Sequence, residues 1–186
     1  MARFDALAAV LVPEAELLHV VRPDLLDRAR AEGVTDAIRA ELAAHIGVGV
    51  TLCTCTTLGP AAEEAGAIRI DRPMMEKAAQ AGVRVLLAVA LQSTLDASHA
   101  LLTQCIALAG TDTQFDVLLM PEVWPLFEAG DTEGFAAAIA ARVNAALQDH
   151  SAIVLAQVSM TDAAPLITHD HVLTAPELAL KAALDR

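Results

Sequence analysis

Short runs of branched aliphatic residues alternate along this chain with Ala-rich stretches whose apolar positions recur at helical spacing. That alternation constrains the fold more than any other feature. Strands joined by helix-length connections pair in parallel, and a parallel sheet needs cover on both faces. A helix is expected at about 3–12, stopped by Pro13, then a strand at "AELLHVV" (15–21). "PDLLDRARAEG" reads as helix closed by Gly33, and "TDAIRAELAAHI" as helix capped by Thr35 or Asp36. "VGVTLC" is a strand, "PAAEEAG" a short helix with Pro60 in its first turn, "AIRID" a strand and "PMMEKAAQAG" a helix. The plan then repeats. Strand "VRVLLAVA" leads to a helix over about 97–109, strand "FDVLLM", a segment around "WPLFEAG" and a long helix over roughly 132–148. Strand "AIVLAQ", short helix "TDAAPLI", strand "HVLT" and a last helix "PELALKAALD" complete it.

A chain of 186 residues that is 55% apolar has ample material for a core, and its 3% aromatic content leaves the filling to Ala, Leu and Val. Twelve basic against twenty-four acidic side chains give a formal charge of -12, which repels nucleic-acid backbones and anionic lipid surfaces. Neither nucleic acid nor membrane is an expected partner. The longest clean apolar run, "VLLAVAL" at 85–91, is too short to span a bilayer. "ALAAVLV" near the start imitates a signal peptide, but Asp5 precedes it and it reads better as helix. Three cysteines without a regular framework suit a reducing cytoplasm.

At an offset of about one hundred residues the two stretches match in kind. "VTLCTCTT" falls on "IVLAQVS", setting Cys55 opposite Gln157 and Thr57 opposite Ser159, and Pro73 falls on Pro176. The expected architecture is two pseudo-symmetric α/β halves. The first covers 1–81 and the second 82–175, with a C-terminal helix at 176–186 that can pack back on the first, as the family resemblance given below implies. Nothing in the first half corresponds to "VRVLLAVA", so its first strand is missing from this pattern. In open α/β sheets that strand is commonly central. An unfilled sheet position leaves room for a neighbouring chain, including a homodimer partner.

The stretch "TLCTCTTLGP" (51–60) carries the chemistry. A thiol at a strand end, just ahead of a helix whose N-terminal amides point at it, is expected to carry an enlarged thiolate fraction. Thr56 and Thr57 add hydroxyl donors, and loop N–H groups suit a carboxylate or enediolate. "QST" at 92–94 and Ser159 are expected at corresponding strand ends. Together with "IRIDRPM", "LLAVALQSTLD", "AIVLAQVSM" and "VLTAPELA", the stretch resembles the aspartate/glutamate racemase superfamily, which includes hydantoin racemases, maleate isomerases and arylmalonate decarboxylases.

The resemblance implies a cofactor-independent enzyme that holds a small carboxylic acid between two halves and moves a proton beside its carboxylate. Cys55 stands where the first family cysteine belongs, and the matching second position is Gln157. An amide neither accepts nor delivers a proton at neutral pH. Decarboxylation, or isomerisation by one cysteine, is therefore expected over two-base racemisation, with Cys55 catalytic and Thr56, Thr57, Ser93, Thr94, Gln157 and Ser159 binding substrate. A catalytically inactive acid-binding protein of the same fold is the first alternative. The second is a redox or metal-binding module built from Cys53, Cys55, His169 and His171, whose residue types suit zinc although the spacing matches no common site. Cys53 and Cys105 read as packing, His19 as a core or capping residue, Asp71–Arg72 as a turn, and Trp124 as a plug.

Overall fold

The structure, a computed structural model, describes residues 2–47 and 49–185. Every strand pairing in it is parallel, and helices alternate with strands, so the chain is an α/β protein. It divides into two compact units, Met1–Ile70 with Pro176–Arg186 and Asp71–Ala175. Met1 and Arg186, at the ends of the expected halves, lie outside the described residues.

In the first unit α1 (Ala2–Leu11) ends ahead of Pro13, as its sequence requires. Residues 15–21, expected as a strand, carry no regular structure, and nearly all of them are exposed. Among the described residues their β-prone composition pairs with no strand, and an unpaired strand has no independent stability. Next come α2 (Pro23–Glu32), closed by Gly33 at φ +80°, and α3 (Asp36–Ala43), where Thr35 Oγ1 accepts the Ile38 N–H. Arg22 bonds Asp24 and Glu41, and Arg28 also bonds Glu41, which ties α2 to α3. The strand expected across 48–53 shrinks to β1 (Leu52–Cys53), and Val48 lies outside the described residues. Helix α4 (Gly59–Glu64), with Pro60 in its first turn, leads to β2 (Ile68–Arg69), which pairs with β1. One core cluster here joins Leu25, Ala29, Ile38 and Leu58.

The second unit opens with α5 (Arg72–Ala78). Its sheet has the order β4-β3-β5-β6, built from β3 (Arg84–Val89), β4 (Gln114–Leu119), β5 (Ala152–Leu155) and β6 (Val172–Thr174). Central β3 sets Leu87 opposite both Val117 and Val154. Its Val85–Val89 run is buried throughout, which accounts for the continuous apolar reading. Leu86, Ala88 and Ala90 share one cluster with Phe135, Ile139 and Val143 of α8 (Thr132–Ala146). By strand alternation Val85, Leu87 and Val89 point to the other face, where α5 meets β5 and α6 (Gln92–Ala109) meets β3.

Between β4 and α8 lie a 3₁₀ turn (Pro121–Val123) and the short α7 (Trp124–Glu128). Asp131 caps α8 by accepting the Gly134 N–H at 2.9 Å, and α6 ends at Gly110 with φ +65°. After β5 a 3₁₀ segment (Val158–Leu166) takes the place of the expected loop and short helix. Helix α9 (Ala175–Leu184) closes the described chain and belongs from Pro176 with the first unit. Among the described residues no helix is long and apolar enough to cross a membrane.

Candidate functional site

Within the second unit the chain leaves β3 toward β4 on one side and reaches β5 on the other, so the loops at the carboxyl ends of β3 and β5 diverge. Such a reversal point is where open α/β sheets bind ligands. Gln157 stands there, immediately past β5, 8% exposed, and its Oε1 accepts the Ala90 N–H at 2.7 Å. That bond fastens the end of β5 to the end of β3. It also commits the amide oxygen and leaves Nε2 as a donor with no hydrogen-bond partner among the described residues.

Helix α6 starts directly after β3, about a turn earlier than its apolar spacing suggests. Gln92, Ser93 and Thr94 thus form its first turn rather than a strand end. No side chain caps this end; Leu91 is the N-cap and its carbonyl accepts the Thr94 and Leu95 N–H groups. The positive end of the helix dipole lies beside the Gln157–Ala90 contact. Ser93 is exposed, whereas Thr94 is 4% exposed with its hydroxyl unpartnered among the described residues. Ser159 lies half-buried in the 3₁₀ segment that follows Gln157.

The first unit holds the rest of the expected set. Cys53 lies on β1 opposite Arg69 of β2, and Cys55 follows the strand by two residues. Cys53 Sγ donates to the Cys55 carbonyl at 3.6 Å. Both thiols are half-buried against the Leu25–Ile38–Leu58 cluster. Thr56 and Thr57, also half-buried, form the turn into α4. A Cβ on Gly59 would come within 3.0 Å of Arg69 Nε, so the absence of a side chain at Gly59 admits the guanidinium. Arg69 is 4% exposed, a buried cation beside the cysteine stretch that the sequence reading passed over. Its one signal is an arginine inside the apolar run "AIRI".

The remaining candidates fall elsewhere. His169 has both ring nitrogens occupied: Nδ1 accepts the His171 N–H, and Nε2 donates to the His150 carbonyl. No group of three or more metal-binding side chains occurs among the described residues. His19 sits in the exposed 15–21 segment and bonds Asp5 at 2.6 Å. Cys105 is buried on α6, and Asp71 is 1% exposed at the turn before α5. Trp124 meets Phe127 at a tilt and Phe135 edge-on.

A second polar cluster gave no sequence signal. At the amino end of the sheet, Asp116 Oδ2 accepts from Arg84 at 2.6 Å and from buried His150 at 3.1 Å. These two donors, Arg84 first, hold the Asp116 carboxyl below its ordinary range. It lies at the opposite end of the strands from Gln157.

A scan of protein-family models finds none that matches the chain, and a search of curated proteins finds no match.

Proposed function

We propose that the protein is an aspartate/glutamate racemase-like enzyme, independent of cofactors, in which Cys55 transfers a proton next to the carboxylate of a small acid. Gln157 carries the reading. Its oxygen is taken by the Ala90 N–H and its nitrogen only donates, so it can hold a carboxylate but cannot serve as a second base. One-cysteine chemistry follows. In decarboxylation a malonate-type acid loses CO₂, the electron pair stays in an enediolate, and the Cys55 thiol protonates the α-carbon before the thiolate recovers a proton from water. In isomerisation the Cys55 thiolate adds to an activated alkene, rotation occurs about the new single bond, and the thiolate leaves. The donors proposed for a carboxylate are, within the first unit, the hydroxyls of Thr56 and Thr57 beside Cys55 and, within the second, Gln157 Nε2 and the hydroxyls of Ser93, Thr94 and Ser159.

The same reading takes the two units as repeats of one plan, with the counterpart of β3 absent from the first. The supporting observation is order of kinds: helix, 15–21, helices, β1, α4, β2 in one unit, and α6, β4, helices, β5, 3₁₀ segment, β6 in the other.

The competing reading is an inactive acid-binding protein, favoured by the packing of Cys55 against Leu25, Ile38 and Leu58. One experiment separates them. Wild type and Cys55→Ser are incubated in D₂O with amino acids, hydantoins, malonates and maleate, and NMR follows α-proton exchange, CO₂ loss and double-bond geometry. Turnover of one acid, reduced at least about a hundredfold in Cys55→Ser, is expected. Binding without turnover, with a Cys55 that resists iodoacetamide in the folded protein, would identify the inactive relative instead.

A further inference from the structure

The segment that ends β1 carries two sulfur atoms, and the proposed reaction uses one of them. Cys53 and Cys55 both pack on the cluster around Leu25, Ile38 and Leu58, whereas Thr54 between them is exposed. That is the alternation of extended backbone. Residues two apart in such a segment lie about 6.6 Å from each other at Cα, inside the span of about 4.4–6.8 Å that a disulfide bridges. Their Cβ atoms must still close to about 3.8 Å, which takes a bend at Thr54. The ladder leaves that bend free. The Ile70 N–H bonds the Cys53 carbonyl at 3.1 Å and β1 ends there, so Thr54 and Cys55 belong to no strand. Cys53 Sγ is already turned along the chain toward Cys55, to whose carbonyl it donates at 3.6 Å. Neither sulfur is in a disulfide, and both are half-buried, within reach of a small reagent, whereas Cys105 is buried.

We propose that Cys53 and Cys55 form a redox-active dithiol that exchanges with small-molecule disulfides of the glutathione class and closes reversibly to a Cys53–Cys55 disulfide. Cys55, past the end of the strand, reacts first. Its thiolate, formed by loss of a proton to water, attacks one sulfur of the disulfide RSSR; a new S–S bond forms at Cys55, and RS⁻ leaves with the electron pair of the broken bond. Cys53 then loses its proton, attacks the Cys55 sulfur and expels the second RS⁻. The two RS⁻ take up the two protons. Two protein thiols have then been oxidised by two electrons, and RSSR has been reduced to two RSH. Arg69, buried and in register opposite Cys53, puts a cation beside the anionic sulfur through which exchange passes. Taken with the functional reading above, on which this one consequence rests, closure removes the thiol that moves the proton and so switches the proposed reaction off. The dithiol itself does not depend on that reading.

The intact protein is equilibrated with reduced and oxidised glutathione at graded ratios, quenched in acid, alkylated and mapped by mass spectrometry, with turnover read in parallel. The expected product lacks two hydrogens, joins Cys53 to Cys55 in the mapped peptide, and reverts with dithiothreitol. In Cys53→Ala, glutathione remains on Cys55 at least about tenfold more than in wild type, because no neighbouring thiol expels it. In Cys105→Ser the bridge forms as before. A wild-type chain that carries glutathione on Cys55 without closing overturns the proposal. So does one that stays reduced at both sulfurs until urea unfolds it, or one whose bridge involves Cys105. Closure without any Cys55-dependent turnover sinks the functional reading only, and turnover without closure sinks the dithiol only.

Discussion

Gln157 uses its amide oxygen within the fold and offers its nitrogen to the proposed acid, and the two atoms can be tested apart. Replacing it with Leu strands the Ala90 N–H in a buried place, which costs on the order of 1–3 kcal/mol and is read as a lowered urea midpoint. Gln157→Glu keeps an acceptor for that N–H but loses the donor and brings a negative charge. It is expected to retain most of the stability while weakening acid binding at least about tenfold, measured by calorimetry. Asp116 gives the pH dependence. Its carboxyl is depressed in the fold by Arg84 and then His150, so it binds protons more readily once unfolded. Stability from this group is present above the ordinary carboxylate range and is lost as pH falls below about 4. Asp116→Asn should flatten that acid limb in unfolding curves between pH 6 and 2. Gln157 was legible as a candidate because the sequence offset sets it against Cys55. The Gln157–Ala90 bond was not, since it depends on β3 and β5 being neighbours, and neither was Asp116–His150, which joins residues far apart in sequence at two strand starts.

Elements behaved as their local chemistry dictated wherever a helix had a stop or a cap. Pro13, Gly33, Thr35 and Gly110 all mark ends. The start of α6 escaped notice because Gln92–Thr94 are turn-prone residues that here begin the helix, capped only by backbone. The strand at 15–21 failed for a different reason: alternation and β-propensity describe a side chain's fit to a sheet, and among the described residues no strand pairs with it. Helix α8 offers the cleanest test of element stability. Asp131→Ala removes the oxygen that receives the Gly134 N–H, a loss of about 0.5–2 kcal/mol. Ile139→Ala, in the cluster with Leu86 and Leu155, should cost about 2–5 kcal/mol, with both effects measured by denaturant unfolding.

At the scale of the molecule the two units differ in how much sheet each contains. The second has a four-stranded sheet with Val85–Val89 of β3 and all of β5 buried; the first has, among its described residues, two strands of two residues and a core cluster around Leu25, Ala29, Ile38 and Leu58. Native-state amide exchange should therefore be slowest at Val85–Ala90 and Ala152–Ala156. The amides of 52–53 and 68–69 should exchange through opening events of lower free energy. The parallel α/β layering was written in the chain's alternation, and the inequality between the two units was not, because it turns on how much sheet each builds. For anyone handling this protein the exposed stretch at 15–21 is where damage begins. Thermolysin, which cleaves ahead of Leu and Val, should nick the backbone there first, and the same apolar window would seed precipitates if salt screened the molecule's negative charge.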